Sequence, residues 1–341
     1  NGAVFRKNRA MRVYLFVIST FSFFLVRFVS AQDLFESKSD SLVNALDSSY
    51  QKGLRYLSST QEPNGLWTQS SYGDQAGVLG ICILAFISRG DDPEFGPYAE
   101  VVRKSLHSML EKQDSETGFI GTTMYNHGFA TLALAELYGT LDDKRIGPAL
   151  KNAVSLSVRS AQVNPKGAWR YKPDSRDADT TVSGTVLVSL FAARNAGMAV
   201  PQSTINKAVD YITNCQDTNG GIGYSSATGP NLPRTSIASL VFSLSNRTQT
   251  SAYKKSLEYL KENAKYGDQG HKFYSLYYTA QALFRAGPSH WEKWNTLNIQ
   301  KLVESQQKDG SWRGNHGMTF STAAALLSMA LNYRYLPIYE R

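Results

Sequence analysis

The sequence predicts an all-α protein, an α/α toroid made as a barrel of six helical hairpins. Three observations carry that prediction. A weak repeat recurs six times, roughly every fifty residues. Within each copy an amphipathic helical stretch precedes one that is apolar almost all round. No strand-like alternation of polar and apolar residues competes with this pattern.

Each copy ends its first stretch on Gln and then places Gly, usually one residue before a large apolar or aromatic side chain. Gln61 leads to Gly65-Leu66-Trp67, Gln113 to Gly118-Phe119, and Gln162 to Gly167-Ala168-Trp169. Gln216 leads to Gly220-Gly221-Ile222 and Gln306 to Gly310-Ser311-Trp312, while a degraded copy runs from Tyr259-Leu260 to the segment between Gly267 and His271. A period of this size marks one supersecondary unit, copied and packed against itself.

In the first copy Leu42, Leu46, Leu54, Tyr56 and Leu57 keep helical spacing up to Gln61, with Gly53 as a weak point. Pro63, Asn64 and Gly65 then stop the helix. Residues 75–87 follow with almost no polar face, and the same contrast returns at residues 181–196, 235–244, 274–284 and 319–331. First halves such as residues 205–215 and 253–260 carry Lys, Asp and Glu on one side. A helix without a polar face is buried on every side, so the apolar helices form an inner ring and the amphipathic ones an outer ring. Closing the ring removes the ends that an open solenoid must cap. The aromatic, Pro-bent tail, residues 333–341, is expected to pack over one ring end.

At 341 residues and 42% hydrophobic, the chain can bury a large core, and the repeat spans residues 41–331 without a linker. Residues 32–341 are therefore read as one domain. Residues 1–31 read as a signal peptide or N-terminal anchor. Arg6, Lys7, Arg9 and Arg12 precede the apolar run 13–26, and Val29-Ser30-Ala31 resembles a cleavage site. The run is short for a membrane span and Arg27 interrupts its end, so export to the periplasm or outside is expected, with a membrane-anchored form as the alternative. Met11 is a candidate start. Five basic residues and no acid of the +8 chain lie in this segment, and no Lys/Arg run remains elsewhere. Nucleic acid is thereby excluded as a partner. Cys82 and Cys215, in the first and fourth copies, read as buried thiols and not as a disulfide.

The Gln…Gly-x-Trp element resembles the repeat of squalene and oxidosqualene cyclases, and more loosely that of protein prenyltransferase β subunits, over roughly residues 41–335. In those families Gln and Trp tie each turn to its neighbour, which implies a structural role for Trp67, Trp169 and Trp312. The resemblance also implies a site at Asp177-Ala178-Asp179-Thr180-Thr181. Class II terpenoid cyclases carry Asp-x-Asp-Asp-Thr, whose middle Asp protonates an alkene or epoxide. Asp177 takes the first position and Asp179 the middle one. Thr180 replaces the third Asp, as oxidosqualene cyclases also lack it, and Thr181 matches the Thr.

Such chemistry uses no cofactor. It needs a protonated carboxyl in an apolar site and aromatic faces for the carbocation that follows. Trp169, Tyr171, Tyr125, Phe129, Phe273, Tyr274, Tyr277 and Tyr278 are the candidate walls. The implied ligand is an isoprenoid-like or other apolar small molecule, with which a peripheral membrane contact is compatible. The alternative is a non-catalytic secreted interaction or binding module, in which Asp179 only caps the apolar helix it precedes. The family's active site lies between two toroids, whereas the repeat here makes one.

Other chemistries have less support. Prenyltransferases hold zinc with Asp, Cys and His. At the matching places this chain has Met318-Thr319-Phe320-Ser321-Thr322 and Asn231-Leu232-Pro233-Arg234-Thr235, with no such set. No metal is therefore expected. His127, His271 and His316 read as solvent-exposed turn histidines. A glycosidase or lyase on a six-hairpin barrel wants two facing acids, or a Tyr with His and Arg, which sequence alone does not pair.

Overall fold

Helix boundaries follow the repeat closely in the computed structural model, which describes residues 40–264 and 270–339. The helices run α1 Asp40–Thr60, α2 Ala76–Ile87, α3 Ala99–Leu110, α4 Met124–Leu137, α5 Ile146–Val163 and α6 Thr180–Asn195. They continue as α7 Gln202–Asn214, α8 Leu232–Leu244, α9 Ser251–Asn263, α10 Lys272–Ala286, α11 Pro288–Ser305 and α12 Met318–Ala330. The expected leader, residues 1–31, and Gly267 of the degraded copy lie outside the described residues.

Even-numbered helices are buried all round. Every residue of α2 is buried, as is every residue of α6 from Thr180 to Ala193. Odd-numbered helices bury a stripe; α9 hides only Tyr253, Ser256 and Leu260. This split places the even helices inside. There α2 packs on α4, α4 on α6, α6 on α8, α8 on α10 and α10 on α12, and α12 returns to α2. The ring is closed, and the outer helices back onto it. Among the described residues no helix is long and apolar enough to cross a membrane.

The repeat residues are the hoops of this barrel. Gln61, Gln113, Gln216 and Gln306 each donate through Nε2 to the carbonyl of their own turn glycine. The same amide reaches the next outer helix at Val101, Ala149, Ala252 and Ser49 respectively, at 2.8–3.1 Å. The indoles of Trp67, Trp169 and Trp312 donate back to Leu57, Ser157 and Leu302, each at 2.9 Å. All three rings are at most 1% exposed, so truncating one to Ala would cost about 3–5 kcal/mol. Glycine is required at Gly65 and Gly310 because φ is +81° and +93° and a Cβ would meet the backbone oxygens of Lys104 and Lys52.

The third copy departs from the pattern. Gln162 is exposed, and Asn164 instead ties the turn, donating to the carbonyls of Ser175 and Asp177 at 2.8 and 2.9 Å. A second tie recurs one layer inward. The turn amides of Ile120, Trp169, Ile222 and Trp312 donate to His127, Ser183, Thr235 and Thr322 on the following inner helix.

His127 is thus no solvent-exposed turn residue. It lies within α4, fully buried, with Nε2 between the Ala153 carbonyl and Ser157 Oγ, and burial pushes its pKa down to about 4. The expectation fails here because a histidine satisfied on both ring nitrogens can sit in a core. Cys82 and Cys215 are free and buried, as expected.

Every hairpin enters the inner ring through its long repeat turn, so all six inner helices begin at the same end. That end is the open mouth. At the other end the tail packs into the ring: Leu336, Ile338 and Tyr339 are buried, Pro337–Tyr339 form a 3-10 turn against α6, and Arg285 donates to the Ile338 carbonyl at 3.1 Å.

Candidate functional site

A cavity of about 790 Å³ occupies the mouth. Its walls come from the first turns of the inner helices and the loops just before them. α2 and its loop supply Tyr72, Gln75, Gly77 and Val78, and α4 supplies Thr123, Tyr125, Asn126 and Phe129. Tyr171 and Thr181 come from the entry to α6, and Tyr224, Asn231, Pro233 and Arg234 from the entry to α8. His271 and Tyr274 of α10, with His316 and Phe320 before and within α12, complete it. Among the described residues no Asp or Glu lines the cavity.

Aromatic rings form a continuous wall. Tyr171 contacts Tyr125, Tyr125 contacts Tyr274, and Tyr274 meets Tyr278 edge-on at 4.9 Å between centroids. Such tilted and edge-on geometries suit the ring quadrupoles. Burial raises the pKa of Tyr125, Tyr224 and Tyr274, so these hydroxyls stay protonated. Tyr72, 59% exposed at the rim, holds φ at +61°, a strained backbone for a bulky residue.

Polar groups are set between the rings. Asn126 bonds Gln75 Oε1 through Nδ2 and accepts from the Gly77 amide, which joins α4 to α2. Tyr171 and Tyr224 share a hydroxyl–hydroxyl bond of 2.7 Å. The His271 and His316 rings are stacked within 8°, with Nδ1 of the first 3.0 Å from Nε2 of the second. His316 is held below the usual range by burial and by its neighbour. Among the described residues no group of three His, Cys, Asp or Glu side chains could hold a metal ion.

Asp179 lies at the edge of this site, sealed from it. It is 0% exposed. Its Oδ1 accepts from the Thr181 amide, the Thr181 hydroxyl and the Val182 amide at 3.0, 2.6 and 2.8 Å. Its Oδ2 accepts from Tyr224 Oη at 3.3 Å and faces Arg170 Nε at 3.5 Å. Burial raises its pKa, while these hydrogen bonds and Arg170 oppose the rise. The arrangement is an N-cap of α6 with its lone pairs already engaged.

Among the residues expected at the site, Thr181, Tyr125, Tyr171, Phe129 and Tyr274 do line the cavity. The others do not. Asp177 is exposed and pairs with Arg170 at 3.0 Å. Trp169 is 1% exposed and committed to the Ser157 carbonyl. Phe273, Tyr277 and Tyr278 are buried in the ring, Tyr278 bonding Thr185 Oγ1 at 3.0 Å. The expected central cavity is accordingly confined to the mouth on this side of the buried tyrosines. Tyr72, Gln75, Asn126, Tyr224, Arg234 and Phe320 are lining residues that the sequence pattern does not single out as ligand contacts. The signal available for them is position: all but Tyr224, which lies farther back in the loop ahead of α8, stand at or just before the first turns of an inner helix, where the repeat brings equivalent places together.

Fold and site together define an all-α toroid with one aromatic, partly polar mouth. The chain belongs to the family described as Domain of unknown function (DUF6288), whose family model matches residues 50–302. No curated protein matches the sequence. Among solved structures it is similar to the apo type II terpene cyclase MstE from Scytonema, with TM-score 0.60 and 15% identity over 86% of this chain and 99% of that one. A variant of that cyclase was solved with geranylgeranyl dihydroxybenzoate, its substrate (TM-score 0.58, 16% identity, 87% and 99% covered). An inactive variant of the α-1,6-mannanase GH76A of Salegentibacter sp. HEL1_6, bound to α-1,6-mannotriose, is similar at TM-score 0.63 and 9% identity, over 84% of this chain and 98% of that one. Identities this low establish the fold and leave the activity open.

Proposed function

We propose that this protein is a toroidal binding module whose mouth takes an apolar-bodied small molecule. The observation that carries this reading is the contrast between an open aromatic cavity of about 790 Å³ and an acid sealed beside it. Cavities of this size, largely apolar with a few placed polar groups, are the usual form of small-molecule sites. An isoprenoid-like chain fits the wall of Tyr125, Phe129, Tyr274 and Phe320. Residues 32–341 act as one domain, and residues 1–31 are an export signal; N-terminal sequencing of secreted product, expected to start after Ala31, tests the latter.

The binding test uses the neutral fluorophore N-phenyl-1-naphthylamine. Wild type should bind it once per chain, and Tyr125→Ala should weaken binding by about tenfold, the loss of one buried aromatic contact. Absence of saturable binding would sink the reading.

A second reading is Asp-initiated cyclisation. Its support is the raised pKa of Asp179, the proximity of Tyr125 and Tyr224, and the likeness in fold to a type II terpene cyclase. Incubation with geranylgeranylated aromatic acids, followed by mass spectrometry and NMR of the extract, tests it. A cyclic product lost in Asp179→Asn would replace the binding-module reading; unchanged substrate supports that reading.

A further inference from the structure

We infer that the mouth selects an anionic ligand, and that Arg234 is the residue that recognises its charge. The inference deepens the binding reading above, on which it rests. A cavity intended for plain hydrocarbon gains nothing from a guanidinium in its wall, since a half-buried cation loses hydration unless something replaces it.

Arg234 is such a cation. It lies in the first turn of α8, whose cap Asn231 already accepts from the Arg234 amide. One guanidinium nitrogen donates to the Gly229 carbonyl at 2.7 Å, and the group sits 5.1 Å from the centre of the Tyr224 ring. A guanidinium has five N–H donors, so several remain for a ligand. No carboxylate among the described residues pairs with it.

The contrast with Arg170 is informative. Arg170 also lies over the Tyr224 ring, again at 5.1 Å, but its charge is taken up by Asp177 and Asp179. Tyr224 is therefore flanked by two guanidiniums, one neutralised inside the wall and one left facing the cavity.

The ring adds to this field. All six inner helices point their N-termini, the positive ends of their dipoles, at the mouth. Three of them, α2, α10 and α12, begin at Gln75, His271 and Gly317 without a side-chain cap. The outer-helix C-termini end at the same face but farther from the axis. Among the described residues the lining contains no carboxylate; Asp74 is exposed beside it. Cavity, uncompensated guanidinium and dipoles agree on a ligand with an apolar or flat body against the aromatic wall and one carboxylate, sulfonate or phosphate on Arg234.

Two fluorophores of nearly the same body separate the charge from the body: 8-anilinonaphthalene-1-sulfonate, which is anionic, and N-phenyl-1-naphthylamine, which is neutral. Wild type should bind the sulfonate more tightly, and rising salt should weaken only the sulfonate. Arg234→Gln should weaken the sulfonate by about tenfold or more, the range for one charge-assisted hydrogen bond, and weaken the neutral probe far less. Arg234→Lys, which keeps the charge and the fold, should fall between. Equal wild-type affinities, or a loss in Arg234→Gln that is the same for both probes, would overturn the inference while leaving the binding module standing. Failure of both probes on wild type would overturn the binding module as well.

Discussion

Gln306 and Ser49 join the two ends of the ring. The Gln306 side-chain amide donates to the Ser49 carbonyl at 2.9 Å, and the Ser49 hydroxyl donates back to Gln306 Oε1 at 2.8 Å, across 257 residues of sequence. The same amide holds the Gly310 carbonyl, so one side chain ties the last turn to the first outer helix. Gln61, Gln113 and Gln216 make the same tie to the next copy along the chain; Gln306 closes the circle.

Gln306→Ala should therefore destabilise the protein by about 1–3 kcal/mol, because the Ser49 hydroxyl and two carbonyls lose a partner in a part-buried seam. Gln162→Ala, at the exposed copy, should fall within about 0.5 kcal/mol of wild type. Urea unfolding of the two variants makes the comparison. Equal effects would refute the distinct role given to the seam.

Glycine in the repeat turn is required by packing as well as by φ. At Gly310 a Cβ would run into the Lys52 carbonyl oxygen, with φ at +93°, whereas Gly197 has φ at +87° and nothing within 4 Å. Gly197→Ala should cost only the left-handed strain, about 1 kcal/mol, and Gly310→Ala clearly more. Thermal midpoints of the pair isolate the contribution of hairpin contact.

Stability should fall on mild acidification because His127 is buried neutral. Its folded pKa of about 4 lies below the unfolded value of 6.5, so the unfolded chain takes up the proton first. The contribution is complete above pH 6.5 and is lost as pH falls towards 4. Between pH 7 and pH 5 the loss attributable to this residue is about 2 kcal/mol. His127→Gln should be less stable at pH 7 and should lack that part of the slope, as read from urea midpoints across the range.

Asp179 is a cap before it is anything else. Asp179→Ala should cost about 1–2 kcal/mol through the freed Thr181 and Val182 amides, and Asp179→Asn less, since Asn still accepts. Both variants should keep their affinity for the neutral fluorophore. A loss of binding in Asp179→Asn at unchanged thermal midpoint would place the carboxylate in contact with ligand, against the geometry described.

Most of the ring is legible in the residues themselves. The inner helices at residues 75–87 and 319–331 stand out by having no polar face, and the turn chemistry at Pro63-Asn64-Gly65 marks where a helix stops. These are local signals, repeated six times, so chance errors in one copy do not disturb the reading. His127 escapes because its partners, Ala153 and Ser157, come from α5; nothing near it in sequence announces a polar socket. The site is half legible. Tyr125, Phe129 and Tyr274 show through their aromatic type, and Tyr171 and Thr181 also through their place beside the acidic motif, whereas Trp169, Tyr277 and Tyr278 have the same character and face the core.

The period and the alternation of buried with amphipathic helices are properties of the chain read residue by residue. They suffice for a closed double ring, because burial of an all-apolar helix has few solutions. Three-dimensional packing alone sets which way each aromatic points and leaves Arg234 without a carboxylate partner among the described residues at the mouth. Those outcomes depend on bonds and stacking between copies far apart in the chain, such as Tyr224 with Arg170 and Tyr125 with Tyr274, and no local pattern encodes them.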